Sequence, residues 1–270
     1  MPQLKCGDYF IDYEDAGDGS PVILIPSSAS GNKQWRKLVG GLADQYRMIS
    51  INMFGYGQTS SWPAHRQQTL EDQADLVVCI ADMFKEPVRL VGHSFGASVA
   101  MKAAIKLKDR AKRLVAIEPN LFYLLKKFGR EEAWQNISFL GKFVRDFGGQ
   151  GEWTKVAAHF VDYWNEHGAW DSLTDQHRAN LTEMVKPNLY EWDAVLECED
   201  DISEFQSLVA RMLVLKGAKT RKEISEIVDI LFNELTGLET YEVPGCGHML
   251  PISHPQMVNP IIEEYLGRMD

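Results

Sequence analysis

Short apolar runs separated by amphipathic stretches constrain this chain of 270 residues more than any other feature. The runs are Pro21-Val22-Ile23-Leu24-Ile25, Met48-Ile49-Ser50-Ile51, Val88-Arg89-Leu90-Val91, Leu114-Val115-Ala116-Ile117 and Met212-Leu213-Val214-Leu215. Each is bounded by Gly, Pro or a charge and is too short for a buried helix, so each predicts a strand. Strands alternating with helical segments predict βα units around a largely parallel sheet, an α/β fold. The Asp8–Glu14 stretch, ended by Asp15-Ala16-Gly17-Asp18-Gly19, reads as an edge strand running into a turn. A closing helix is expected near Val258–Leu266.

The alternation breaks between Pro119 and about Phe205, where only helical periodicity is found. Five of the seven tryptophans (134, 153, 164, 170 and 192) fall in this third of the chain, which marks it as a packed insertion and not a linker. Residues 1–118 and 206–270 are therefore expected to form the α/β core, with residues 119–205 as a helical insertion over the C-terminal edge of the sheet. A chain this long buries enough apolar surface to fold without disulfides or metals. The net charge of -10 argues against nucleic acid and anionic membranes as partners, since both reward basic patches. No apolar run reaches the ~20 residues of a membrane span, and Met1-Pro2-Gln3-Leu4-Lys5 lacks the regions of a signal peptide. The four cysteines (Cys6, Cys79, Cys198, Cys246) are scattered, so reduced thiols and a cytoplasmic location are expected. No metal or cofactor is expected, because His93, Cys246 and His248 lack ligand spacing.

Arg89-Leu90-Val91 leads directly into Gly92-His93-Ser94-Phe95-Gly96-Ala97-Ser98-Val99-Ala100: a strand, a sharp turn, then a helix opening with small residues. A serine hydroxyl is a weak nucleophile unless it is exposed beside a base and beside donors for the developing oxyanion. Glycines at 92 and 96 permit a tight turn that lifts Ser94 to the end of the sheet, at a helix N-terminus whose dipole favours negative charge. A G-x-S-x-G pentad also arises by chance. The strand before it and the small-residue helix after it favour a nucleophile over a structural turn.

On these residues the chain resembles the α/β-hydrolase superfamily over essentially its whole length. The resemblance implies partners in the order serine, acid, histidine, the histidine lying in a loop after the last strand. Tyr241-Glu242-Val243 is read as that strand and Pro244–Pro251 as the loop, which makes His248 the catalytic base. One oxyanion donor is implied at the N–H of Phe95. The other is implied at Ser28, in the loop Pro26-Ser27-Ser28-Ala29-Ser30-Gly31, whose Pro26-Ser27 departs from the His-Gly of many members. Asn52 stands where an aspartate is common, in a loop that shapes the pocket. His93 and His254 are read as a packing residue and a helix-start residue.

The acid is the departure that matters. Most members place an aspartate after the strand read here as Met212–Leu215, and this chain has Thr220 there. A hydroxyl cannot stabilise an imidazolium as a carboxylate does. Glu118, 24 residues after Ser94, ends the preceding strand, a placement similar to that of some haloalkane dehalogenases. Glu118 is therefore the expected acid, with a Ser–His dyad or a different carboxylate as alternatives, and Thr220 is expected to contribute little.

The insertion resembles the helical cap of the superfamily and is rich in aromatics. Phe122 and Leu125, just after Glu118, are the expected substrate-binding residues. The implied function is hydrolysis of carboxylic esters of apolar or aromatic small molecules through a Ser94 acyl-enzyme. Carbon–carbon bond hydrolysis or acyl transfer on the same residues is the enzymatic alternative. A non-catalytic ligand receptor on the same scaffold is the alternative from another class, favoured by Thr220. Haloalkane dehalogenation is disfavoured by serine, not a carboxylate, at position 94.

Overall fold

Every apolar run predicted to be a strand is one in the computed structural model, which describes residues 2–268. The strands are β1 (Gln3–Cys6), β2 (Tyr9–Ala16), β3 (Ser20–Ile25), β4 (Tyr46–Ile51), β5 (Val88–His93), β6 (Ala111–Ile117), β7 (Met212–Gly217) and β8 (Glu239–Val243). They form one sheet in the order β1-β2-β4-β3-β5-β6-β7-β8. From β4 to β8 every pairing is parallel, while β1–β2 and β2–β4 are antiparallel. The segment expected as an edge strand is thus one position in from the edge, because Gln3–Cys6 folds back on it in a hairpin through Gly7, whose φ is +58°.

The central strands are apolar without alternation because helices cover both faces of the sheet. Val22 and Leu24 face one core, shared with Trp35, Leu38 and Ile262, and Ile23 and Ile25 face the other, shared with Leu76, Val77 and Met101. The first core lies against α1 (Arg36–Leu42) and the closing helix α11 (Pro255–Gly267); the second lies against α2 (Leu70–Ala81) and α3 (Phe95–Leu107). Thr69 and Asp72 form a reciprocal capping box that starts α2. β8, at the other edge, carries exposed Glu239, Tyr241 and Glu242, a charged border that discourages pairing with another chain.

Between β6 and β7 the chain contains no strand. It runs through α4 (Tyr123–Lys127), α5 (Glu131–Gly149), α6 (Trp153–Trp164), α7 (Asp175–Met184) and α8 (Asn188–Leu196) before a 3-10 turn at Ile202–Arg211. The helices α9 (Lys222–Glu234) and α10 (Leu250–Ser253) flank β8. Among the described residues no helix is long and apolar enough to cross a membrane. Cys6 and Cys79 correct the expectation of four reduced thiols: packing of β1 on α2 brings their Cα atoms to 6.1 Å, and they are joined in a disulfide. Cys198 and Cys246 are free.

Candidate active site

Ser94 immediately follows β5 and is the first residue of the turn into α3, with φ 55° and ψ -120°. That conformation is costly for any residue with a Cβ and persists only where its surroundings enforce it. Here the Ser94 N–H donates to the Ile117 carbonyl at 2.8 Å, and its own carbonyl accepts from the Ala97 N–H at 2.9 Å. The two glycines are steric necessities. A Cβ on Gly92 would stand 2.2 Å from the Gly96 carbonyl oxygen, and one on Gly96 would stand 2.3 Å from that of Pro26.

Glu118 occupies the matching place on the neighbouring strand. His93 and Ile117 are register partners across β5 and β6, so the residues after them emerge side by side at one end of the sheet. Glu118 also has positive φ, 51°, and its N–H donates to the Leu215 carbonyl at 2.8 Å, which fixes it to β7. The side chain is fully buried. His248 reaches this point from the loop after β8. Its Nδ1 lies 2.6 Å from Glu118 Oε2 and its Nε2 lies 3.1 Å from Ser94 Oγ. The structure therefore brings together the three residues expected from the sequence.

Two further contacts hold the carboxylate. Glu118 Oε1 accepts the Gly217 N–H at 2.6 Å, and Glu118 Oε2 accepts the Thr220 hydroxyl. Thr220 was expected to contribute little because it has no charge, yet its hydroxyl is one of the donors that orient the buried glutamate. His93 has a comparable supporting place. Its Nε2 lies 2.9 Å from the His248 carbonyl, an acceptor, so that nitrogen carries the proton and Nδ1 accepts from Gln34 Nε2 at 3.3 Å. Burial first, and His248 second, lower the His93 pKa to about 3, so the ring is neutral and acts as a strut.

Gln34 continues this chain of bonds into the loop after β3, where its Oε1 accepts from both the N–H and the hydroxyl of Ser27 at 3.0 and 2.8 Å. Two residues on, the Ala29 N–H donates to the Tyr56 hydroxyl at 2.9 Å. Ser28 sits between these two fixed neighbours and lines the same cavity as Ser94 and Phe95. Asn52 is structural: its amide donates to Asp12 at 2.9 Å and its oxygen accepts from the Asn32 N–H at 2.9 Å.

The cavity in front of Ser94 has a volume of about 350 Å³ and is enclosed on its far side by the helical insertion. Phe122 lines it, stacked between Trp164 at 6.4 Å and Trp192 at 6.1 Å. Trp164 also lies over the His248 imidazole, with ring centroids 4.3 Å apart. Leu125 does not line the cavity. It is fully buried on α4, which packs against α5 and α9, so its apolar side chain belongs to the core. Sequence reasoning passed over Trp164, Trp192 and Glu191 as wall residues. One signal for them was present: Asn188, Glu191, Trp192 and Val195 are spaced i, i+3, i+4, i+7 on α8, and all four line the cavity. Two polar residues on an otherwise inward-facing stripe mark a wall that faces something other than core.

Residues 22–261 match the model of the alpha/beta hydrolase family. The chain is 24% identical over 262 residues to the (E)-2-((N-methylformamido)methylene)succinate hydrolase of Acinetobacter baylyi, covering 94% of this chain and 93% of that protein. It is 35% identical over 105 residues, 37% of each chain, to the 2-hydroxymuconate semialdehyde hydrolase of a Pseudomonas species. In structure it is similar to MGS-M2, an alpha/beta hydrolase from a deep-sea metagenome library, with a TM-score of 0.81 at 16% identity over 100% of this chain and 98% of that one. A family match that covers most of the chain, on a sheet of this topology with a serine at its elbow, makes this protein a member of the alpha/beta hydrolase family.

Proposed function

We propose that this hydrolase cleaves carboxylic esters of apolar or aromatic small molecules through an acyl-enzyme on Ser94, with His248 as base and Glu118 as acid. One observation carries the proposal: the unbroken line Ser94 Oγ–His248 Nε2 at 3.1 Å and His248 Nδ1–Glu118 Oε2 at 2.6 Å, opening on a largely apolar cavity. His248 Nε2 takes the hydroxyl proton as Ser94 Oγ bonds to the ester carbonyl carbon. Glu118 accepts the Nδ1–H, which fixes the tautomer and stabilises the imidazolium. The N–H groups of Phe95 and Ser28 face the developing oxyanion; one such donor is worth about 10²–10³ in rate. The imidazolium then gives its proton to the leaving alcohol, and His248 activates a water that releases the acid and restores Ser94.

Residues 119–205 act in this reading as a cap that closes the site and presents Phe122, Trp164 and Trp192 to the acyl chain. No group beyond these side chains is required. Carbon–carbon bond hydrolysis on the same residues is the second reading, favoured by the stretch shared with 2-hydroxymuconate semialdehyde hydrolase. The receptor reading drew its support from the absence of an acid at position 220, and Glu118 against His248 removes that support. A fluorophosphonate probe tests the proposal. Stoichiometric labelling of Ser94, together with turnover of aryl esters, is expected. An unlabelled Ser94 in the folded protein would overturn it.

A further inference from the structure

Among the described residues that line the cavity, only Glu191 and His248 ionise, and none is a lysine or arginine. Glu191 is 2% exposed and the mechanism above makes no use of it. Its carboxylate accepts from the Tyr56 hydroxyl at 2.9 Å and from Asn188 Nδ2 at 2.8 Å. Tyr56 is committed to donating in that direction, because its oxygen already accepts the Ala29 N–H. Burial pushes the Glu191 pKa up, and these donors oppose the rise by stabilising the charged form. A carboxylate offers about four acceptor positions, so this one keeps room for a further donor from the cavity side.

We propose that Glu191 sets the substrate class: the cavity takes esters that present a hydrogen-bond donor, such as a hydroxyl or amide N–H, toward α8, and rejects esters that carry a carboxylate there. This rests on the ester-hydrolase reading for the reacting bond alone. A donor from the ligand gains a charge-assisted bond to a group already held in place by Tyr56 and Asn188. A ligand carboxylate would lose its water beside a like charge, in a cavity whose walls supply no cation to repay the loss. A role for Glu191 confined to fastening α8 to the loops after β3 and β4 would leave both ligand types equally bound.

The test uses Ser94→Ala, which binds without turnover, and the fluorescence of Trp164 and Trp192 in the cavity wall. Three probes of similar length are titrated: methyl 6-hydroxyhexanoate, methyl hexanoate and monomethyl hexanedioate at neutral pH. The hydroxy ester is expected to bind at least tenfold more tightly than the half-acid, with the plain ester between them. Adding Glu191→Gln should close that gap to about threefold or less, whereas Glu191→Asp, which keeps the charge, should preserve the order. Circular dichroism establishes that each variant is folded. If Glu191→Gln does not fold, the order of the three probes on Ser94→Ala and on Glu191→Asp still decides. The inference is overturned if the half-acid binds as well as the hydroxy ester, or if a folded Glu191→Gln leaves the gap unchanged. Hydrolysis of the same esters by the unmutated protein is scored separately. Binding in the expected order without turnover would defeat the ester reading and leave Glu191 as the selector.

Discussion

The helix that carries Ser94 and the helices that cover it are built in opposite ways. Eleven of the thirteen residues of α3 are buried, because it is enclosed by the sheet on one side and by α2 and the 3-10 turn on the other. Only three of the twelve residues of α6, which supplies Phe160, Val161 and Trp164 to the cavity, are buried, and α7 buries none. The first arrangement encloses the helix that follows a strained serine; the second leaves one face of a layer free to line a cavity. Catalytic geometry belongs on elements that cannot move, and recognition can be carried by a layer packed on one side only. The variants below test that division, and each should fall clearly on one side of it.

The largest effect is expected on the sheet side. Ser94→Ala and His248→Ala should each lower aryl-ester turnover on the order of 10⁶-fold, and the double variant should be little worse than either, since residues acting as one unit are not additive. Melting temperatures should stay close to that of the unmutated chain. Steady-state kinetics on the three variants decides the matter: additive losses would mean that His248 acts apart from Ser94.

Glu118→Gln keeps the shape and removes the charge, and turnover should fall by roughly 10³–10⁴. Thr220→Val removes one of the donors to that carboxylate and leaves the Gly217 N–H in place. A hydrogen bond to a charged group is worth about 1.5–3 kcal/mol, so a loss of about 10–100-fold in kcat, with KM little changed, is expected. If Glu118→Gln were near wild type and Thr220→Val were crippled, the acid assignment would fall and the hydroxyl would need a role of its own.

The division also explains what could be read without coordinates. Ser94, His248 and Glu118 were legible because each follows a strand that its own residues announce, and parallel strands deliver their ends to one place. Glu118 was readable at that level because β6 neighbours β5, although the usual acid position holds Thr220. What could not be read is how Thr220 reaches back to Glu118, since that depends on the path of one loop after β7. The insertion was legible as helical and aromatic. Which aromatics face the cavity was not, because helical spacing yields a stripe without saying what the stripe faces. Phe122 and Leu125 illustrate this: three residues apart and both apolar, one became cavity wall and the other core. The pairing of Cys6 with Cys79 was hidden for a related reason, since it depends on β1 folding back over α2.

Phe122 and Leu125 supply the smallest expected change in turnover and the sharpest test of the insertion's role. Phe122 stands between Trp164 and Trp192 at the cavity wall, so Phe122→Ala lengthens the space available to an acyl chain. The ratio of kcat/KM between long and short acyl esters should move by about 1–3 kcal/mol toward the longer ones, with the best substrate turning over at nearly the unmutated rate. Leu125 is fully buried away from the wall, so Leu125→Ala should cost about 2–5 kcal/mol of stability and leave the chain-length profile where it was. Kinetics from acetyl to octanoyl esters, read beside urea unfolding curves, separate the two. If Leu125→Ala shifted the profile as much as Phe122→Ala did, recognition would depend on packing deep in the insertion, and the contrast between rigid core and one-sided cover would not hold. If neither shifted it, the acyl chain would lie elsewhere in the cavity, along Leu173 and Leu181.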